Sequence, residues 1–172
     1  FVVTALLIGS LGANAVASHQ VAINVASITF MVPLGIGMAT TVRVGHAVGA
    51  GDAQRARGAA GAGLLLAITA QVLSATMLAL FSPQIAALYT SDVVVGSLAA
   101  QLMMYAAIFQ FSDGLQVVAA SALRGLKDAR VPALLTAIAY WGIGMSTGWY
   151  CAFRLGRGAP GMWVGLIAGL TA

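Results

Sequence analysis

With 172 residues, 60% of them hydrophobic and only 7% charged, the chain is too apolar for a soluble globular domain and belongs with integral membrane proteins. The ten-residue alternation of a membrane barrel is absent, so the apolar runs are helices, whose backbones satisfy themselves in lipid. The net charge of +4 does not point to nucleic acid, because the basic residues cluster in connections rather than along an aromatic-bearing face.

In chain order, a first helix ends at about residue 8 and is closed by the Gly9-Ser-Leu-Gly12 turn. A second span covers 15–41, with His19 near one end, His46 beyond the other, and a polar stripe of Gln20, Asn24 and Ser27. Both interhelical hydrogen bonding and cavity lining are open to that stripe. Pro33 removes an interior hydrogen bond and predicts a bend. The segment from Thr41 to Arg57 is the most polar in the chain and reads as a connection; it has glycines but no Gly-Lys-Ser/Thr, which argues against a phosphate loop. Asp52 is placed to cap the next helix.

The third span covers 58–81 and is expected to end at Ser82-Pro83, with Gln84 to Tyr89 as a short interfacial turn. Ser91-Asp92 caps a fourth span, 93–122. A fifth covers 131–153, with Pro132 in its first turn and Gly144 and Gly148 as a small-residue pair. A sixth covers 160–172, with Gly161, Gly165 and Gly169 on one ridge. Cys151, the single cysteine, rules out an internal disulfide and reads as a small apolar residue. Phe1 opens without an initiator Met or a basic leader, and Thr171-Ala172 stops inside an apolar run, so a fragment of a longer polytopic protein without a signal peptide is expected.

The fourth span holds the functional question. Asp113 lies well inside it, where an aspartate costs on the order of 2.5 to 3.5 kcal/mol on insertion scales, so it should face a cavity or a partner and mark an ion pathway. Gln110 and Gln116, three residues to either side, share its helical face.

Lys and Arg in successive connections number three (Arg43, Arg55, Arg57), none, three (Arg124, Lys127, Arg130) and two (Arg154, Arg157). This alternation places loops 42–57 and 123–130 in the cytoplasm. Tyr89, Trp149, Tyr150 and Trp163 fall near the opposite side, as an aromatic belt would.

The segments Met31-Val-Pro-Leu-Gly-Ile-Gly-Met-Ala-Thr-Thr-Val-Arg43-Val-Gly45-His-Ala-Val-Gly-Ala-Gly-Asp52 and Phe109-Gln-Phe-Ser-Asp113, followed by Ala122-Leu-Arg124-Gly-Leu-Lys-Asp128, resemble the multidrug and toxic compound extrusion (MATE) family. The resemblance covers the chain as an all-α C-terminal six-helix lobe of a polytopic membrane transporter, its first and last helices truncated. It implies secondary active efflux of cationic, amphipathic drugs in exchange for Na⁺ or H⁺ across the bacterial inner membrane, by alternating access and with no further cofactor or metal. Asp113 matches the cation-coupling acid. Pro33, Arg43, Gly45 and Arg124 lie in the matching motifs and carry a structural role, and Gln110, Gln116, Gln20 and Asn24 are candidate cavity-lining residues. Membrane lipid and the N-terminal lobe are the expected macroscopic partners, with the acidic partner of Asp113 preceding Phe1. The rival reading is a lipid-linked oligosaccharide flippase of the same superfamily, whose cavity is expected to be basic. A membrane enzyme would need a nucleophile and base or a metal set within the spans, and the two histidines lie at opposite ends of one helix.

Overall fold

In a bilayer no water is available to the backbone, and a chain this apolar closes its hydrogen bonds within helices. The computed structural model describes residues 2–10, 12–128 and 130–171, and the described residues are helical except at the connections. In order these are α1 (Val2–Gly9), α2 (Ala13–Gly49), α3 (Ala53–Tyr89), α4 (Val93–Gly125), α5 (Arg130–Ala137), a π-helical stretch Ile138–Gly144, α6 (Met145–Trp149), a second π-helical stretch Tyr150–Arg154, and α7 (Gly158–Thr171). The four pieces from Arg130 to Arg154 follow one another without a break and make up the fifth span. Three helices, α2, α3 and α4, are long and apolar enough to cross a membrane.

Aspartates start α3, α4 and α5. The Asp52 carboxylate accepts from the Arg55 N–H at 2.8 Å. Asp92 accepts from the Val94 and Val95 N–H groups at 2.8 and 3.1 Å. Asp128 accepts from Arg130 and Val131 at 3.1 and 3.2 Å. Each satisfies amide groups that a helix start leaves open. The chain has four acidic residues, so this leaves one, Asp113, with no helix to cap.

Two expected helix boundaries fail. The polar segment from Thr41 is not a connection until residue 50: α2 continues to Gly49, and only residues 50–52 separate it from α3. At 37 residues, α2 is about 55 Å long against a hydrocarbon core of about 30 Å, so it runs on into the interface. There Val44, Ala47 and Ala56 form a small buried cluster of their own. Nor do Ser82-Pro83 end α3, which passes through Pro83 to Tyr89. Ser82 and Ala86 are buried against the core, so packing outweighs the one amide hydrogen bond that proline removes.

Polar side chains record how the long helices lie. Ser18 Oγ donates to the Val95 carbonyl (3.0 Å), Thr29 Oγ1 to Gln110 Oε1 (2.8 Å) and Thr41 Oγ1 to the Ser121 carbonyl (2.8 Å), so α2 and α4 ascend together. Between α3 and α4 the order reverses: Gln71 Nε2 donates to the Gln110 carbonyl and Ser82 Oγ to Met104 Sδ. The basic ends of α2 and α4 and the start of α3 therefore share one end of the bundle. The main core runs through Leu78, Leu102, Met103, Phe109, Met162 and Trp163. Trp163, expected in an aromatic belt, is fully buried with its ring edge-on to Phe109 and to His19, each at 5.8 Å. Leu73, 73% exposed, and Trp141, 65% exposed, point outward instead.

The fifth span meets α7 along glycines. A Cβ on Gly169 would lie 2.7 Å from Gly144 Cα, one on Gly161 would lie 2.6 Å from Ala152 N, and one on Gly165 would run into Gly148. The two small-residue ridges thus pack on each other, backbone against backbone.

Candidate functional site

Asp113 sits midway along α4, half-buried, and lines a cavity of about 270 Å³ with Ser27 and Phe30 of α2, Phe109 of its own helix and Tyr140 of the fifth span. The Tyr140 hydroxyl donates to Asp113 Oδ1 at 3.4 Å. Tyr140 lies within the π-helical stretch Ile138–Gly144. A π turn shifts side chains out of α register, and such turns recur at functional sites. Tyr140 also lines, with Thr4, Thr136 and Met162, a larger hollow of about 650 Å³ between α1, the fifth span and α7. Its ring is therefore part of the wall of both spaces.

No cation neutralises Asp113: among the described residues the one ion pair joins Asp52 and Arg55. No Lys or Arg lines the Asp113 cavity. Among the described residues no three His, Cys, Asp or Glu side chains come together. The side-chain oxygens of the lining residues are those of the Asp113 carboxylate, the Tyr140 hydroxyl and the Ser27 hydroxyl, which itself donates to the Ile23 carbonyl at 2.7 Å. A carboxylate with neutral oxygens and no fixed counter-charge suits a small hard cation or a proton.

The other sequence candidates separate. Gln110 is buried, and its Oε1 accepts from Thr29 and from Ser74 (3.2 Å) at the junction of α2, α3 and α4. Gln116 turns to the fifth span, its Nε2 donating to Thr136 Oγ1 at 3.1 Å, beside the larger hollow. Asn24 is exposed, and its Oδ1 accepts from the Tyr89 hydroxyl at 2.8 Å; Gln20 is exposed as well. Pro33 is buried inside α2. A Cβ on Gly45 would come within 3.7 Å of the Gly125 carbonyl, so α2 and α4 approach closely there. Arg124 donates through Nη2 to Ser121 Oγ at 2.6 Å, and Arg43 is exposed at the α2–α3 end. Sequence reading missed Tyr140; its one signal was a hydroxyl-bearing ring in the middle of an apolar span.

A family model described as MatE matches residues 1–150. The chain belongs to the MatE family. Similarity to curated proteins extends over nearly all of this MatE chain. It is 56% identical over 171 residues, 99% of its length, to a probable multidrug resistance protein NorM of Xanthomonas axonopodis pv. citri, and 49% identical over 175 aligned positions to the multidrug resistance protein PmpM of Pseudomonas aeruginosa. The chain spans about 37% of the length of either relative. Two solved structures share the fold. One, an inward-facing multidrug resistance MATE family transporter, superposes with a TM-score of 0.83 at 22% identity over 97% of this chain and 38% of its own. The other, a transporter of the MOP superfamily from Pyrococcus furiosus, gives 0.85 at 18% identity over 98% and 37%. A MatE chain with three helices of membrane-crossing length and composition is a membrane protein.

Proposed function

We propose that the full-length protein carrying this chain exports cationic, amphipathic compounds by alternating access, in exchange for Na⁺ or H⁺ taken up at Asp113. The observation that supports it best is the isolation of that residue: of the four acids it alone caps no helix, and it lies mid-span beside a cavity with hydroxyls, not cations, for neighbours. A charge held there is costly. Uptake of Na⁺ or H⁺ removes the cost, so two arrangements of the lobes that hydrate Asp113 differently must differ in cation affinity. Such a difference is the only means by which a ligand drives a conformational change. A cationic drug competes for the same charge.

In this reading Tyr140 orients the carboxylate and offers a neutral oxygen, Gln116 and Thr136 border the adjoining hollow, and the exposed Gln20 and Asn24 face the remainder of the transporter. Gln110 serves packing. The shared basic end of α2, α3 and α4 is assigned to the cytoplasmic face of the bacterial inner membrane, in line with the positive-inside rule.

The test is reconstitution of the full-length protein in proteoliposomes, following efflux of a fluorescent cationic drug under an imposed Na⁺ or H⁺ gradient. Asp113→Asn is expected to abolish gradient-driven efflux. Wild-type efflux in that variant sinks the coupling role, and absence of efflux under either gradient in the parent favours the flippase.

A further inference from the structure

Where α2 meets α3, at the basic end, a crevice of about 580 Å³ opens between Arg43 and His46 of α2 and Arg55, Gly58, Ala59 and Ala62 of α3. The nearest carboxylate, Asp52, is engaged in capping α3 and in a 3.6 Å pair with Arg55, whose side chain is still 75% exposed. The side chains of Arg43 and His46 have no hydrogen-bond or ion-pair partner among the described residues. The room is left by missing side chains: a Cβ on Gly58 would meet nothing within 4 Å.

The crevice does not stand alone. Helical spacing carries its α2 wall from Arg43 to Ala39 and Ile36, and its α3 wall from Ala62 to Leu66, which is 59% exposed. Apolar residues of both helices thus lie between the cationic mouth and the middle of the span. A cationic pocket between helices at one end of a bundle, continued by apolar surface, matches a lipid with an anionic head. A soluble anion would have to compete with water for exposed guanidinium groups, whereas a lipid is presented at the high local concentration of its own membrane.

We propose that this crevice binds the phosphate headgroup of an anionic phospholipid, with Arg43, His46 and Arg55 around the phosphate and an acyl chain along Ile36, Ala39 and Leu66. This gives Arg43 a ligand of its own, independent of cation coupling at Asp113.

The test uses the full-length protein exchanged into nanodiscs of phosphatidylcholine with a minor share of phosphatidylglycerol, then native mass spectrometry to count retained lipids. The parent is expected to retain phosphatidylglycerol in excess of its share. Arg43→Gln with Arg55→Gln should reduce that retention by about fivefold for each arginine removed. Gly58→Leu, which alters no charge and replaces glycine with a better helix former, should reduce it as well by filling the crevice. Equal retention in the parent and Gly58→Leu overturns the proposal, since a diffuse positive surface would then suffice. Complete displacement of phosphatidylglycerol by millimolar glycerol 3-phosphate also overturns it, because the ligand would then be a soluble phosphate. Retention that is unchanged by the double arginine variant overturns it from the side of charge.

Discussion

Among the described residues, Tyr140 supplies the one side-chain hydrogen bond to Asp113. A net hydrogen bond to a charged group contributes about 1.5 to 3 kcal/mol, and the 3.4 Å separation puts this one at the weak end. Tyr140→Phe keeps the ring that walls both spaces and removes only the donor. Gradient-driven efflux in proteoliposomes should slow by about tenfold, with binding of the drug in the absence of a gradient unchanged; wild-type efflux would show that the hydroxyl plays no part. Asp113 was legible in the sequence because an acid within an apolar run is costly to insert and stands out against its neighbours. Tyr140 was not, because tyrosine is unremarkable in a span, and its pairing 27 positions away depends on a helical register that composition does not reveal. Gln110 shows the converse. Its spacing from Asp113 was read correctly, but three positions along a helix leave two side chains about 60° apart, enough for one to face the cavity and the other the α3 packing.

At the scale of elements, the glycine ridges of the fifth span and α7 were each visible as a periodicity, and their mutual contact was not, since a ridge does not name its partner. That contact predicts a sharp asymmetry among glycines. Gly165→Ala forces a Cβ into the Gly148 backbone and should lower stability by about 1 to 3 kcal/mol. Gly61→Ala, on an exposed face with nothing within 4 Å, should raise it by up to about 1 kcal/mol through helix propensity. Thermal unfolding in detergent distinguishes them, and equal midpoints would refute the contact. The extension of α2 to Gly49 and of α3 through Pro83 escaped the sequence because hydropathy marks where a helix leaves lipid, not where it ends. The π-helical stretches escaped it because an α and a π turn share the same composition.

For the molecule as a whole, helix order, the caps at Asp52 and Asp92 and the basic connections at one end were legible, because they rest on local spacing and charge counts; the Asp128 cap was not read from the sequence. The orientation makes a direct prediction for the full-length protein lacking its native cysteines. Gln54→Cys, exposed at the start of α3, should react with a membrane-impermeant maleimide only in inside-out vesicles, and Ser91→Cys, exposed at the opposite end, only in intact cells. The reverse pattern would invert the assignment. The glycine contact has a consequence in the genome as well. Every change to the first or second base of a glycine codon that yields another amino acid attaches a carbon to Cα. At Gly165 the backbone of Gly148 already occupies that space. In populations under drug selection, tolerated changes at the Gly165 codon should therefore be confined to its third base, while the Gly61 codon varies freely; amino-acid polymorphism at Gly165 in functional alleles would mean that the two helices stand further apart than they do here.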